Sequence, residues 1–259
     1  MQEQIVTLAK LGACLALAAV CACGSIESRP PSPSPIQLHI EARGGASAIR
    51  SIKAIKLTLD LVEPQFALQA DYLANRSNCM RIDIFNDGKY LQSEGVSSEG
   101  GWSVAAGDTS FTLQPAGGTE TLLHGVDSPV RMIGLDEFPD RGHKIVYGGR
   151  ELLESQQYDR VIATYSDGYT AELYLDPTTH LIGKIREHKP MHLAIDPTKL
   201  TIETQFSDYR VVSGVMFPFF SREVNWQTGK ELGHTTVKSI VVNSADALAV
   251  CSRPILPGR

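Results

Sequence analysis

The chain has 259 residues, of which 42% are hydrophobic, and its formal net charge is −5. No block of basic residues is present, so the composition argues against nucleic-acid binding and against docking on anionic lipid through charge alone. The roughly 220 residues that follow the N-terminal region suit a single domain, because all-β domains commonly reach this size.

An apolar segment near the N-terminus has the features of an export signal. Lys10 precedes an uninterrupted run of small and apolar residues at 11–22, which is too short to span a bilayer. The run ends in residues 20–24 (VCACG), which resemble the lipobox of bacterial lipoproteins. We therefore expect a signal peptide at 1–22 and lipidation of Cys23 by acyl chains such as palmitate.

Two other cysteines are weaker candidates for lipidation. The apolar run before Cys14 is too short for a signal core, and Cys21 follows a valine where cleavage needs a small residue. An ordinary secretory signal with incidental cysteines is the alternative interpretation.

The residues after Cys23 predict a tether to a membrane. Stable anchoring takes two or more acyl chains, which a lipidated N-terminal cysteine supplies. Gly24, in place of an aspartate, implies by the same resemblance an outer-membrane location facing the periplasm. Prolines alternate with serines up to Pro35, which indicates an extended linker over residues 23–35.

From Ile55 onward the dominant hydrophobic period is two. Apolar and polar residues alternate at 55–61, 80–84, 171–175 and 202–206, which is typical of strands with one buried face. Asp-Gly and Thr-Gly pairs between such runs favour tight antiparallel hairpins. The pattern predicts about a dozen short strands.

Helix signals are few and short. Segments 36–42 and 46–53 flank Gly44-Gly45, where the chain can redirect sharply. Segment 119–134 has apolar spacings of three and four and contains Pro129, which predicts a broken amphipathic helix. An antiparallel sheet with one apolar face needs such helices as a cover, so we expect a curved sheet that encloses an apolar cavity.

Three pairs of segments carry a family resemblance: 39–45 (HIEARGG) with 49–53 (IRSIK), 174–177 (YLDP) with 181–184 (LIGK), and 206–210 (FSDYR) with 214–218 (GVMFP). Together they resemble the outer-membrane lipoprotein-sorting protein-like family of the LolA/LolB-like half-barrel superfamily. The resemblance implies a mainly β (α+β) fold at 36–245, followed by a C-terminal tail at 246–259. It implies a single curved antiparallel sheet of about eleven strands, forming an open or half β-barrel with short helices over its concave face. The best-known relatives hold lipoprotein acyl chains there.

The apolar strand positions are the candidates for the lining of a lipid-binding cavity, with two residues of the 119–134 segment as a lid. Each could equally be simple core, because period two marks a buried face and not a cavity. The candidates are Leu57, Leu59, Phe66, Leu68, Ile82, Leu122, Val130, Leu173, Phe206, Phe217 and Trp226.

The sequence holds none of the common catalytic or cofactor motifs, so we expect no enzyme, no cofactor and no metal. His188 and His192 are four apart, but the surrounding sequence indicates a solvated loop instead of a metal pair. The acidic segment 136–140 similarly indicates a solvated turn. Cys79 and Cys251 could form a disulfide in an oxidising compartment, or could remain two separate thiols.

These observations favour a membrane-anchored lipoprotein that binds lipid or lipoprotein acyl chains, in lipid or lipoprotein transport or reception at the outer membrane. The alternative is a structural or partner-binding outer-membrane lipoprotein with no lipid cargo. The sequence identifies no protein partner.

Overall fold

The computed structural model describes residues 32–192 and 196–253. The predicted signal peptide, the lipidation site Cys23 and most of the linker lie outside the described residues. From Pro33 onward the described residues belong to one compact unit, Pro33–Arg259. No helix in the described part of the chain is long and apolar enough to cross a membrane.

The unit is built on one antiparallel sheet of thirteen strands, in the order β6-β5-β4-β3-β2-β1-β13-β12-β11-β10-β9-β8-β7. Neighbours in the sheet are consecutive in the chain except at its centre, where β1 pairs with β13. The strands are β1 Ala54–Glu63, β2 Phe66–Asn75, β3 Cys79–Asn86, β4 Lys89–Ser97, β5 Gly100–Ala105, β6 Thr112–Leu113, β7 Lys144–Leu153, β8 Gln156–Thr164, β9 Thr170–Leu175, β10 Ile182–His192, β11 Asp196–Val212, β12 Val215–Asn225 and β13 Glu231–Val242.

The sheet is an open half-barrel, which confirms the predicted fold class. Its two edge strands, β6 and β7, do not pair with each other, so the barrel is not closed. The count of thirteen exceeds the eleven strands that the resemblance implied. The two-residue β6 pairs with β5 through backbone hydrogen bonds and is exposed, so hydrophobic alternation could not reveal it.

Four α-helices accompany the sheet within the described residues. They are α1 Pro35–Ala42, α2 Ala46–Ser51, α3 Ala116–Val126 and α4 Ala245–Leu248. Ser34 caps α1 in a capping box with Gln37. Gly44 connects α1 and α2 at a φ of +114°, and a Cβ there would lie 2.0 Å from the carbonyl oxygen of Gly214. Two short 3-10 helices follow α3, at Leu135–Glu137 and Pro139–Arg141.

The predicted helix at 119–134 is only partly correct. It begins earlier, at Ala116, and ends at Val126. Residues 127–134, which we call the 127–134 loop, form turns instead, and Pro129 lies within them. Helix α2 also ends two residues early, because Ile52 takes an extended conformation and leads into β1.

The main core lies between the concave face of the sheet and the cover formed by α1, α2 and the residues after α3. Ile49 and Ile52 enter it from α2 and its end, while Met132 and Ile133 enter from the 127–134 loop. They pack on strand residues such as Leu173, which is fully buried. Burial of this continuous apolar face is the main source of stability.

Arg43, at the end of α1, is almost fully buried and joins three parts of the fold. Its guanidinium donates hydrogen bonds to the carbonyl oxygens of Pro129, Arg131 and Ile133, the last at 3.1 Å. Its own carbonyl accepts from the amide of Met216 at 3.0 Å. Burial lowers the pKa of Arg43 to about 10, so the group stays protonated at neutral pH. Arg43 therefore fixes the 127–134 loop to α1 and β12.

Replacing Arg43 with methionine is expected to lower the free energy of unfolding by about 3 kcal/mol or more. The change keeps the length of the side chain but leaves buried loop carbonyls without donors, and each such group costs roughly 1 to 3 kcal/mol. Urea denaturation followed by circular dichroism measures the effect. A loss below about 1 kcal/mol would show that water or another donor replaces the guanidinium.

His39 lies on the buried face of α1. Its Nδ1 donates to the carbonyl oxygen of His180 at 2.8 Å, and its Nε2 has no partner among the described residues. Burial, with a smaller contribution from Arg43, lowers the pKa of His39 to about 3. The neutral imidazole is therefore the folded form at every ordinary pH.

This depressed pKa predicts a loss of stability as the pH falls. Below an ordinary pKa of about 6.5 the unfolded chain takes up a proton that the folded chain refuses until about pH 3. Between about pH 7.5 and pH 5, His39 is expected to reduce the free energy of unfolding by about 2 kcal/mol. The comparison is urea denaturation of the wild type and His39→Gln at both pH values. Equal pH dependence in the two proteins would contradict the assignment.

The C-terminal segment packs against the outside of the sheet centre. Ala247 and Val250 form a second small core with Ala54, Leu73 and Cys79. Cys79 and Cys251 are joined by a disulfide across 172 residues of sequence. The segment after β13 is thus attached to β2 and β3 by both apolar contact and a covalent bond.

Replacing Cys251 with serine is expected to lower the free energy of unfolding by roughly 2 to 4 kcal/mol, because the unfolded chain regains the entropy that the cross-link removes. Cys251 is the exposed partner, so the substitution leaves the small core intact. Urea denaturation of this variant is compared with wild-type protein under reducing conditions, which should match it. A stability equal to that of the oxidised wild type would refute the prediction.

Candidate functional site

A cavity of about 710 Å³ lies over part of the concave face of the sheet. We call it the hollow. It is bounded by strands β1–β3 and β10–β13, by α3, by residues 128–131 of the 127–134 loop, and by the β8–β9 hairpin at 165–169. Its volume falls within the roughly 300 to 1,000 Å³ typical of small-molecule sites. It exists because the cover over the sheet is incomplete.

Six of the predicted lining residues border the hollow. Leu57 and Leu59 alternate along β1 and share a face with Ile82 on β3, because Tyr72 on β2 lies directly opposite both Leu57 and Ile82. These side chains form an apolar floor. The six residues are Leu57, Leu59, Ile82, Val130, Phe206 and Phe217.

Four others are apolar contacts of the fold that do not border the hollow. Phe66 and Leu68 lie near the tip of the β1–β2 hairpin and are only half-buried. Leu122 points from α3 into the main core. Leu173 is fully buried beneath the cover, at the end of the sheet where the core is solid.

The prediction for Trp226 requires the largest correction. Trp226 follows the end of β12 and is 51% exposed. The guanidinium carbon of Arg186 lies 4.6 Å from its ring centre, in a network of charged side chains outside the hollow. Trp226 falls in the turn after the strand, so the period of two no longer determined its side.

A polar wall, which the hydrophobic pattern of the sequence did not predict, also borders the hollow. On β10, Glu187 accepts hydrogen bonds from the Tyr169 hydroxyl and from Lys189 Nζ, both at 2.8 Å. His124 on α3 stacks on Tyr169 and its Nε2 lies 2.7 Å from Asp167 Oδ2. The alternation of β10 contained the signal, since Glu187 and Lys189 follow Ile185 at a spacing of two and share its face.

Glu187 and Lys189 of this wall stabilise each other's charge. Desolvation alone raises the pKa of Glu187, but Lys189 and the Tyr169 hydroxyl outweigh it and hold this pKa below its ordinary value. Desolvation alone lowers the pKa of Lys189, but Glu187 and Glu223 raise it above its ordinary value. Desolvation, reinforced by Glu187, raises the pKa of Tyr169. Glu187 and Lys189 are therefore both ionised at neutral pH, next to a neutral tyrosine.

A second, polar cleft lies beyond α3, with a volume of about 510 Å³. In it, His143 Nε2 donates to Asp127 at 2.9 Å and His143 Nδ1 accepts from the amide of Ser166 at 3.1 Å. Both ring nitrogens are thus engaged, which leaves no lone pair for a metal or a substrate proton. Asp127 also pairs with Arg141. His143, Asp127 and Arg141 in this cleft therefore form a hydrogen-bonded network that holds the fold together.

The other polar residues considered as metal ligands lie in a strand or form ion pairs. His188 and His192 belong to β10, which corrects the predicted loop, and four residues along a strand span about 13 Å. The acidic segment 136–140 is not the solvated turn that we predicted. Asp136 pairs with Arg50, and the buried Glu137 pairs with Arg76. No group of three or more potential ligands with metal-binding geometry occurs within residues 32–192 and 196–253.

No protein-family model and no curated protein matches the sequence. Solved structures do match the fold. A LolA superfamily protein from Nitrosomonas europaea aligns with a TM-score of 0.54 at 9% identity, over 81% of this chain and 92% of that one. A domain named for outer membrane lipoprotein sorting, from Vibrio parahaemolyticus, aligns with a TM-score of 0.51 at 12% identity, over 82% of this chain and 95% of that one. The fold that the sequence resemblance implied is therefore confirmed, and this chain has the fold of the LolA superfamily.

Proposed function

We propose that this protein binds lipid or lipoprotein acyl chains in the hollow, and that it does so as a lipoprotein anchored through Cys23 to the outer membrane and facing the periplasm. Its role is lipid or lipoprotein transport or reception. The observation that carries the proposal is a cavity of about 710 Å³ left open above an apolar floor.

The floor supplies the energy that such a ligand needs. Each methylene moved from water to an apolar surface contributes roughly 0.8 kcal/mol, so a chain of about sixteen carbons contributes on the order of 10 kcal/mol before the costs of association. Binding of this kind requires area and shape and no reacting group. The proposal therefore includes neither a catalytic step nor a cofactor.

The structural relatives support the same class of ligand. The Vibrio parahaemolyticus domain is named for outer membrane lipoprotein sorting, and lipoproteins carry acyl chains. The predicted anchor on Cys23 distinguishes this chain from a freely diffusing carrier. A tethered protein can receive a lipid or hold one near its membrane, and we propose this mode of action.

The first experiment isolates the full chain, exchanges the detergent for an amphipol, and identifies bound molecules by native mass spectrometry and lipid extraction. Phe206→Glu is the test variant, because Phe206 is half-buried and borders the hollow. A carboxylate in the lining of the hollow opposes a hydrocarbon chain, so we expect at least about tenfold less co-purified lipid.

Leu152→Glu is the matched control. Leu152 is 63% exposed on the edge strand β7, away from the hollow, so this variant should keep its lipid. Thermal unfolding of both variants tests for damage to the fold. A wild type that carries no lipid and takes up none when it is added would overturn the proposal, and would favour the partner-binding alternative.

A further inference from the structure

One cation in the hollow lies directly on the apolar floor. The guanidinium carbon of Arg131 is 4.2 Å from the ring centre of Tyr72. Tyr72 occupies the middle of the row that Leu57 and Ile82 complete on the neighbouring strands. The charge of Arg131 therefore stands beside the surface on which an acyl chain would lie.

The position of Arg131 is fixed from both ends. Its backbone carbonyl accepts a hydrogen bond from the buried guanidinium of Arg43. Its own Nη1 donates to the carbonyl of Gly125 at 2.7 Å, at the end of α3. A guanidinium held in this way loses little conformational freedom when it binds a ligand.

No carboxylate within the described residues forms an ion pair with Arg131. Among the other charged residues that border the hollow, Glu187 pairs with Lys189 at 2.8 Å, and Asp167 accepts a hydrogen bond from His124 at 2.7 Å. An unmatched charge beside apolar surface is unfavourable, and an anionic ligand removes that cost. The planar fork of a guanidinium fits the oxygens of a carboxylate or a phosphate.

We infer that Arg131 binds the anionic head of an amphiphile, a carboxylate or a phosphate, whose acyl chain lies along the floor of Leu57, Leu59 and Ile82. This inference rests on the proposed function and adds a ligand class to it. It separates anionic amphiphiles from neutral ones of the same chain length. The Glu187–Lys189 pair has no such preference because its own charges cancel.

The test measures the fluorescence of cis-parinaric acid and of its methyl ester with the full chain in amphipol, at neutral pH. Both probes carry the same chain, and only the acid is anionic. In Arg131→Met we expect the acid to bind at least about tenfold more weakly, while the ester binds as it does to the wild type. Arg131→Lys keeps the charge without the fork and should recover part of the loss.

Arg150→Met serves as the matched control, because Arg150 is an exposed residue of the edge strand β7. It should bind both probes as the wild type does. An equal loss of acid and ester in Arg131→Met would give Arg131 a purely structural role and overturn the inference, while the proposed function would stand. Failure of the wild type to bind either probe would overturn both.

Competition then identifies the source of the anionic group. Oleate tests a carboxylate head and lysophosphatidic acid tests a phosphate head. Displacement of the acid probe by either one, in the wild type and not in Arg131→Met, supports the inference and names the head. Displacement by inorganic phosphate alone, without either amphiphile, would mean that Arg131 binds a free ion, and would overturn it.

Discussion

The buried guanidinium of Arg43 is the contact on which the rest of this structure depends. The 127–134 loop has no regular secondary structure, so its backbone carbonyls need partners from elsewhere when they are buried. Arg43 supplies three of those partners at once and also hydrogen-bonds β12 through its own backbone. The loop can therefore stay in place over the sheet, with Val130 and Arg131 against the hollow.

A consequence is that one face of the sheet serves two purposes. Leu173 on β9 is fully buried in the main core and does not border the hollow. Over β1 to β3 and β10 to β13 the cover is incomplete, and the core residues Leu57 and Leu59 also border the hollow. The strands are built alike in both regions. Whether a strand residue is core or borders the hollow depends on how far the helices and the 127–134 loop extend over it. That extent depends on the contacts that fix the loop.

This division explains what the sequence could and could not predict. Alternation at 55–61 and 171–175 predicted strands correctly, and Gly44-Gly45 predicted the sharp turn between two helices. Hydrophobic alternation does not show what covers a face of the sheet, so it predicted both Leu173 and Leu59 as lining of the cavity. It also fails where a strand has ended, as at Trp226, and where backbone hydrogen bonds alone define a strand, as in β6. Pairing of β1 with β13 is a contact between distant segments that no local pattern encodes.

The polarity of the hollow bears on which molecules it suits. A cavity intended only for hydrocarbon would gain nothing from Glu187, Lys189 or Arg131, and desolvating such groups is costly. The pair Glu187 and Lys189 offsets that cost internally and presents both a donor and an acceptor to a ligand. Arg131 offsets it only in part, through stacking on Tyr72. Arg131 therefore holds a positive charge beside the apolar floor at the edge of the 127–134 loop, which favours an amphiphile whose anionic end lies toward that loop.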